Sequence, residues 1–239
     1  MKKVSVILPT YNERENIKLL IPRIFQVFEK NNISGNVIIV DDNSPDGTAE
    51  KAIELQKNYP LILIKRPKKM GIGSAYITGF EKALENDSDV IFEMDADLSH
   101  NPENIVGFLK KIEAGFDVVI GSRRIEGGKI IGWNWYRKLV SKSANFIGEW
   151  VAGINGIKDL TSGYRAYRKD ALRSIDLKKI KSSGYAFQLE ILSRLLKRNL
   201  KIGLVPIVFC DRYSGKSKLS KMDVMNFFLI ALRIRCGCL

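Results

Sequence analysis

Residues 90–100 read VIFEMDADLSH. A run of strand-forming apolar residues delivers three acids, Glu93, Asp95 and Asp97, and then stops. Alternation along a strand puts the three side chains on one face. Like charges that close repel, and a bound cation is the simplest way to offset the cost. The same architecture recurs upstream and downstream. VSVILPT, NVIIVDD, LILIKR and DVVIGSR are short β-branched runs that also end in polar or charged residues. Helix-like stretches lie between them, near 14–30, 48–58, 73–86 and 102–114. Pro102 suits a first helical turn, and Gly35 and Gly115 fall where the preceding helices should stop. Strands alternating with helices predict an α/β fold with a mostly parallel, twisted sheet covered on both faces. In such sheets ligands bind beyond the carboxyl ends of the strands. Tyr11 to Glu13, Asp41 to Ser44, Asp95 to Asp97 and Ser122 to Arg124 all sit at such ends.

The rhythm changes after residue 125. EGGKIIG reads as a loop, and 136–152 as an amphipathic helix with Leu139, Val140, Phe146, Ile147, Trp150 and Val151 on one side. LTSGYRAYR reads as a short strand, 186–198 as a helix, LKIGLVPIVF as another strand and DRYSGKSK as a basic loop. The final helix, about 222–234, is shorter than the roughly 20 residues that span a bilayer. The opening apolar run is cut by Pro9, so no signal peptide is expected.

At 239 residues, 45% hydrophobic and 27% charged, the composition is that of a soluble globular chain of one large domain or two small ones. The net charge of +13 is uneven: residues 1–120 hold 15 Lys and Arg against 18 Asp and Glu, and residues 121–239 hold 24 against 8. A basic half suits nucleic acid, an anionic membrane surface or a phosphorylated ligand, with plain solubility charge as the rival. Three cysteines, an odd number, point to a reducing compartment. With His100 the only histidine, neither a His-based zinc site nor a Ser-His-Asp triad is expected.

Asp95 and Asp97 lie two apart at a strand end, where both can reach one hard cation, Mg²⁺ or Mn²⁺. The rival is a polar strand end facing solvent. Asp41 or Asp42 suits a ribose or base edge, whereas SPDGT serves equally as a helix entry capped by Ser44 or Asp46. MGIGSA lacks the rest of a dinucleotide fingerprint, and no P-loop pattern occurs. Arg123, Arg124, Arg137, Arg212, Lys216 and Lys218 are phosphate-contact candidates. Trp133, Trp135 and Trp150, interleaved with Arg137, Lys138 and Lys142, suit either a membrane interface or buried packing.

Taken together, PTYNE (9–13), DDNSPDGT (41–48), DADLSH (95–100), GSR (121–123), the spacing of Trp133 or Trp135 with Arg137 and Ser141, DLTSGYR (159–165), GYAFQLE (184–190) and DRYSGKSK (211–218) resemble the dolichol-phosphate (polyprenyl-phosphate) mannosyltransferases of glycosyltransferase family 2. The resemblance covers roughly residues 4–220. It implies a GT-A (Rossmann-like) catalytic domain over 1–218, with a nucleotide-sugar half (1–120) and an acceptor half (121–218), followed by an amphipathic helix over 219–239. It implies that Asp95 and Asp97 hold Mg²⁺ or Mn²⁺ against the diphosphate of GDP-mannose. Pro9, Tyr11, Glu13, Val40 and Asp42 would line the guanosine site, with Ala96 beside the donor. Arg123 would reach the donor phosphates, and Arg137, Ser141, Arg212 and Lys218 would grip phosphate of donor or acceptor. Ser99 stands where some relatives carry a glutamine that assists at the metal.

The chemistry is coherent in its own right. Positive charge develops on the sugar and negative charge on the departing diphosphate, which a metal and arginines stabilise. A phosphomonoester acceptor, with a second pKa near ~6, arrives already charged and needs no general base. In-line attack inverts an α-linked donor to a β-mannosyl phosphate. A dolichyl or polyprenyl phosphate acceptor gives the tryptophan-rich helix and the last helix a purpose in the headgroup layer. Many microbial relatives carry transmembrane helices after the catalytic domain. The expectation here is a peripheral enzyme on the cytoplasmic face of a membrane, with an anchoring subunit as one way to stay there. CGCL has the outline of a prenylation box. Three rivals remain: a UDP-sugar glucosyl or aminosugar transferase, a nucleic-acid-binding protein, for which no motif occurs, and a non-catalytic membrane adaptor.

Overall fold

The computed structural model describes residues 2–133, 135–154, 156–211 and 221–237. The first half runs β1 (Val4–Thr10), α1 (Arg14–Lys30), β2 (Gly35–Asp41), α2 (Thr48–Leu55), β3 (Leu61–Lys65), α3 (Ile72–Glu85), β4 (Val90–Glu93), α4 (Asn104–Glu113) and β5 (Val118–Ser122). It continues with β6 (Lys129–Ile131), α5 (Trp135–Ala152), β7 (Arg165–Arg168), α6 (Lys169–Arg173), α7 (Gly184–Leu196), β8 (Ile202–Pro206), β9 (Val208–Cys210) and α8 (Lys221–Arg235).

Seven strands form one sheet in the order β3-β2-β1-β4-β7-β5-β8. Pairings β1–β2, β1–β4, β2–β3 and β5–β8 are parallel, and only β7 runs antiparallel, wedged between β4 and β5. The chain steps outward from β1 to β2 and β3 and then returns to place β4 on β1's other side. The sheet therefore reverses direction between β1 and β4, where ligands gather in open α/β sheets.

Side-chain alternation explains the two-faced core. Val4, Val6 and Leu8 of β1 and Val37 and Ile39 of β2 pack on one face with α1 and α4. Ile7, Ile38, Val40 and Ile91 point the other way, into the layer made by α3 and α7, which continues to α8. Both faces of the central strands are buried, so these runs are apolar throughout rather than alternating.

Four sequence-based expectations change. The strand through VIFEMD ends at Glu93, before the aspartates. EGGKIIG is not all loop: Lys129–Ile131 forms β6, paired in parallel with β9 in a separate two-stranded sheet. LKIGLVPIVF is two strands in two sheets, divided at Ile207. Gly35 does not stop α1, which ends at Lys30; it opens β2, where a Cβ would lie 2.6 Å from Phe28 Cε2.

Close approach also explains Gly79, on the face of α3 that lies on β1. A Cβ there would overlap Ile7 Cγ2. Gly79→Ala should cost about 1–3 kcal/mol by overpacking, read as a lower urea midpoint with an unchanged m-value.

Candidate functional site

A cavity of about 400 Å³ opens at the carboxyl ends of β1, β2, β4 and β5. Pro9, Tyr11 and Glu13 reach it from the end of β1, Asp42 from the end of β2, Asp95, Ala96 and Asp97 from beyond β4, and Arg123 from beyond β5. Val40 does not line it and lies wholly in the core. Ser141 stands outside the lining, where its Oγ accepts from Arg124 Nη2 at 3.0 Å. Arg212 and Lys218 lie outside the described residues, as does the side chain of Arg137 within α5.

The segment after β4 is a turn, not strand. Leu98 takes a positive φ of 66°. Ser99 N donates to Asp97 Oδ1 at 3.1 Å, and Asp95 N donates to His100 Nδ1 at 3.1 Å. Asp95 Oδ1 also accepts from Tyr76 Oη at 3.2 Å. His100 is buried and stacked on Tyr164, with centroids 4.7 Å apart. Burial pushes its pKa down to about 4, and an Nδ1 that accepts must be unprotonated. The only histidine thus acts as a neutral brace for the turn.

The three acids divide into two roles. Asp95 and Asp97 face the cavity, whereas Glu93 is fully buried, accepting from Tyr167 Oη at 2.8 Å and Gln188 Nε2 at 2.6 Å. Burial raises the Glu93 carboxyl to about 7, against the opposing pull of Arg165. The repulsion inferred from sequence is thus relieved in part by withdrawing one member into protein hydrogen bonds.

The aspartates after β2 divide in the same way. Asp41 is structural, accepting from Thr10 Oγ1 at 2.9 Å, Ser44 N at 2.9 Å and Ser44 Oγ at 2.6 Å. Ser44 is therefore not the cap of α2; the cap position is Gly47, in the left-handed region with φ 84°, and Asp46 Oδ1, one residue before it, accepts from Thr48 N at 3.0 Å. Asp42 pairs with Arg66, whose Nε lies 2.5 Å from Oδ1, and accepts from Met70 N and Gly71 N at 3.1 and 3.3 Å. It therefore fastens the loop between β3 and α3 to the rim. That loop brings Lys69 Nζ to 4.5 Å from the Tyr11 ring centroid. Sequence reading missed both Arg66 and Lys69, because KRPKK carries no signal beyond its charge.

Arg123 is locked. Its Nε and Nη2 donate to the Asp159 carboxylate at 2.7 and 2.5 Å, and Nη2 also donates to Thr161 Oγ1 at 3.1 Å. The guanidinium lies 5.3 and 5.4 Å from the Trp133 and Phe209 rings. Burial works against both charges, yet their attraction prevails: Asp159 is held below the usual carboxylate range and Arg123 above its ordinary value. Asn145 of α5 joins the network, donating to Thr161 Oγ1 at 3.3 Å and accepting from Leu160 N at 2.7 Å. Asp159 was legible only as part of DLTSGYR, since its partner lies 36 residues away.

The two buried titratable groups give opposing pH effects. His100, lowered on folding, contributes stability that is present above about 6.5 and lost as pH falls toward about 4. Glu93, raised on folding, contributes stability that is present below about 4.5 and lost as pH rises through about 7. Between these limits the slopes cancel. Glu93→Gln removes one of them, so its denaturant midpoint should fall on acidification from pH 6.5 to 4.5 more steeply than the parent's.

The comparisons with known proteins agree with this geometry. The chain is 40% identical over 225 residues to "Polyprenol monophosphomannose synthase" of Mycolicibacterium smegmatis, covering 93% of this chain and 83% of that protein. It is 42% identical over 219 residues to "Undecaprenyl-phosphate mannosyltransferase" of Micrococcus luteus, covering 91% and 88%. A solved glucosyl-3-phosphoglycerate synthase from Mycobacterium tuberculosis, in complex with Mn²⁺, UDP-glucose and phosphoglyceric acid, superposes with a TM-score of 0.72 at 18% identity, covering 99% of this chain and 80% of that one. That likeness shows the GT-A fold. The family description "Glycosyl transferase family 2" matches residues 5–176, and with relatives of this identity and coverage the chain belongs to glycosyltransferase family 2.

Proposed function

We propose that the protein transfers mannose from GDP-mannose to a dolichyl or polyprenyl phosphate, with Mg²⁺ or Mn²⁺, giving the β-mannosyl phosphate and GDP. The observation that carries this reading is the cavity at the sheet's reversal, with Asp95 and Asp97 in its wall, in a chain whose 40–42% identical relatives are named for mannosyl transfer to such lipids.

The donor set fits a hard divalent cation. Asp95 and Asp97 bring two carboxylates into the cavity wall two residues apart, and among the described residues no cluster of three or more His, Cys, Asp or Glu exists to complete a shell. Mg²⁺ and Mn²⁺ take their remaining oxygens from phosphate and water. The metal, when bound by Asp95 and Asp97, supplies charge stabilisation for the departing diphosphate. Arg123 adds positive charge beside it. Its Nε–Nη2 edge belongs to Asp159, so it meets phosphate through its other edge, held in place by the pair. No general base is required of the protein: His100 is neutral with Nδ1 engaged, Glu93 is withdrawn, and a phosphate monoester brings its own charge.

The lipid half of the reading rests on α5 and α8. Trp135, Leu139, Phe146 and Trp150 are exposed, at spacings that place them on one helical stripe, with Lys138 and Lys142 also exposed. Met225, Phe228, Leu229 and Leu232 are exposed on α8, which packs against α5 where Phe227 meets Gly148. Aromatic and aliphatic side chains bordered by lysines suit insertion into the headgroup layer of a membrane. No helix among the described residues is long and apolar enough to cross one.

Transfer of labelled mannose from GDP-mannose into the lipid phase, in detergent with polyprenyl phosphate, tests the reaction. Label should appear with Mg²⁺ or Mn²⁺ and vanish with EDTA, and Asp97→Ala should lower the rate by roughly 10²-fold or more. Transfer from UDP-glucose in place of GDP-mannose would remove the donor assignment. Separately, the Trp135→Glu, Trp150→Glu double variant should cut binding to anionic vesicles about tenfold, because two exposed aromatic anchors are lost. Its melting temperature should stay unchanged.

A further inference from the structure

Gln188 is 5% exposed, sits in the cavity wall and has a carbonyl oxygen, Oε1, with no hydrogen-bond partner among the described residues. Its other end is fixed. Nε2 donates to Glu93 Oε2 at 2.6 Å, while Tyr167 Oη donates to Glu93 Oε1 at 2.8 Å. Both Glu93 oxygens therefore act as acceptors, which turns the amide's NH₂ toward Glu93 and its carbonyl away. The Gln188 backbone is pinned as well, its carbonyl accepting from Arg165 Nη1 at 2.9 Å. The side chain is next to the metal-candidate acids. A Cβ built on Gly163 would lie 3.8 Å from Gln188 Nε2 and 3.7 and 3.9 Å from the Asp95 carboxylate oxygens, so these three residues frame one corner of the cavity.

A buried acceptor satisfied by neither protein nor solvent is a standing cost. At a cavity wall the cost disappears when a ligand hydroxyl arrives to donate to Oε1. The corner beside Asp95 is where a group attached to a metal-held diphosphate would project. We propose that Gln188 is a specificity residue for the sugar of the donor: Oε1 accepts from a hexose hydroxyl, and Glu93, held by Tyr167, is the positioning residue that sets the amide's orientation. The inference rests on the reading that the cavity takes a nucleotide sugar.

The test separates sugar from nucleotide. The affinities of GDP and GDP-mannose are measured by calorimetry with Mn²⁺ for the parent and for Gln188→Leu, with Gln188→Met as a second near-isosteric variant should the first fail to fold. The expected result is GDP affinity within twofold of the parent and GDP-mannose weakened about tenfold, the loss of one hydrogen bond to a buried acceptor. An unchanged ratio of the two affinities in a folded variant overturns the proposal. So does an equal loss for nucleotide and nucleotide sugar, or loss of the fold in both variants, since each marks a structural amide. If the parent binds UDP and UDP-glucose rather than the guanosine pair, the donor assignment fails. The same ratio, taken with the uridine pair, then judges Gln188 independently.

Discussion

One buried guanidinium organises the half of the molecule that faces the central strands across the cavity. Arg165, on the single antiparallel strand of the main sheet, is fully buried. It donates to the carbonyls of Leu160, Ser162 and Gln188 at 2.7, 2.9 and 2.9 Å. Burying a charge is costly unless it is hydrogen-bonded and balanced. Here three backbone acceptors supply the bonds, and the Glu93 carboxylate on the adjacent strand lies close enough to feel its field. The loop so fixed carries Asp159, Thr161 and Gly163, and the helix so fixed carries Gln188. The wall opposite β1 and β2 thus depends on an arginine that never reaches the cavity.

Electrostatic pairing shapes what remains for a ligand. Asp42 is matched by Arg66 and Asp159 by Arg123, both pairs with little solvent contact. Each pair places a charged side chain with high precision while nearly cancelling its field at a distance. Asp95 and Asp97, beyond β4, stand in the cavity wall itself, so their negative charge contributes directly to the field inside it.

The same loop joins chemistry to the exposed aromatic stripe. Asn145 lies on α5 between the exposed Phe146 and the helix's inner face, and bonds to Leu160 and Thr161 beside the Arg123–Asp159 pair. A helix whose outer face carries an exposed aromatic stripe is therefore fastened, on its inner face, to the residues that hold Arg123.

Much of this was legible in the chain. Apolar runs that recur with helix-length gaps and end in polar residues are a local signal, and they dictated the parallel sheet, the position of the cavity and the placement of Asp95, Asp97, Arg123 and Asp42 at strand ends. Local periodicity also set the lengths of α1, α3, α5 and α8 to within one or two residues. What a side chain bonds to is a different matter, because partners distant in sequence meet only through folding. Alternation put Glu93 beside Asp95 and Asp97, yet Tyr167 and Gln188, from β7 and α7, claimed it for the interior. Asp42 stands in the cavity wall as its strand-end position predicts, but its pairing with Arg66 had no local signal, and β6 had no local signature because its pairing with β9 exists only once Ile207 has carried the chain out of the main sheet. The sequence by itself determined which residues stand at the strand ends; the tertiary structure alone decided which of their side chains are drawn into the interior and which line the cavity, because that depends on partners that meet only through folding.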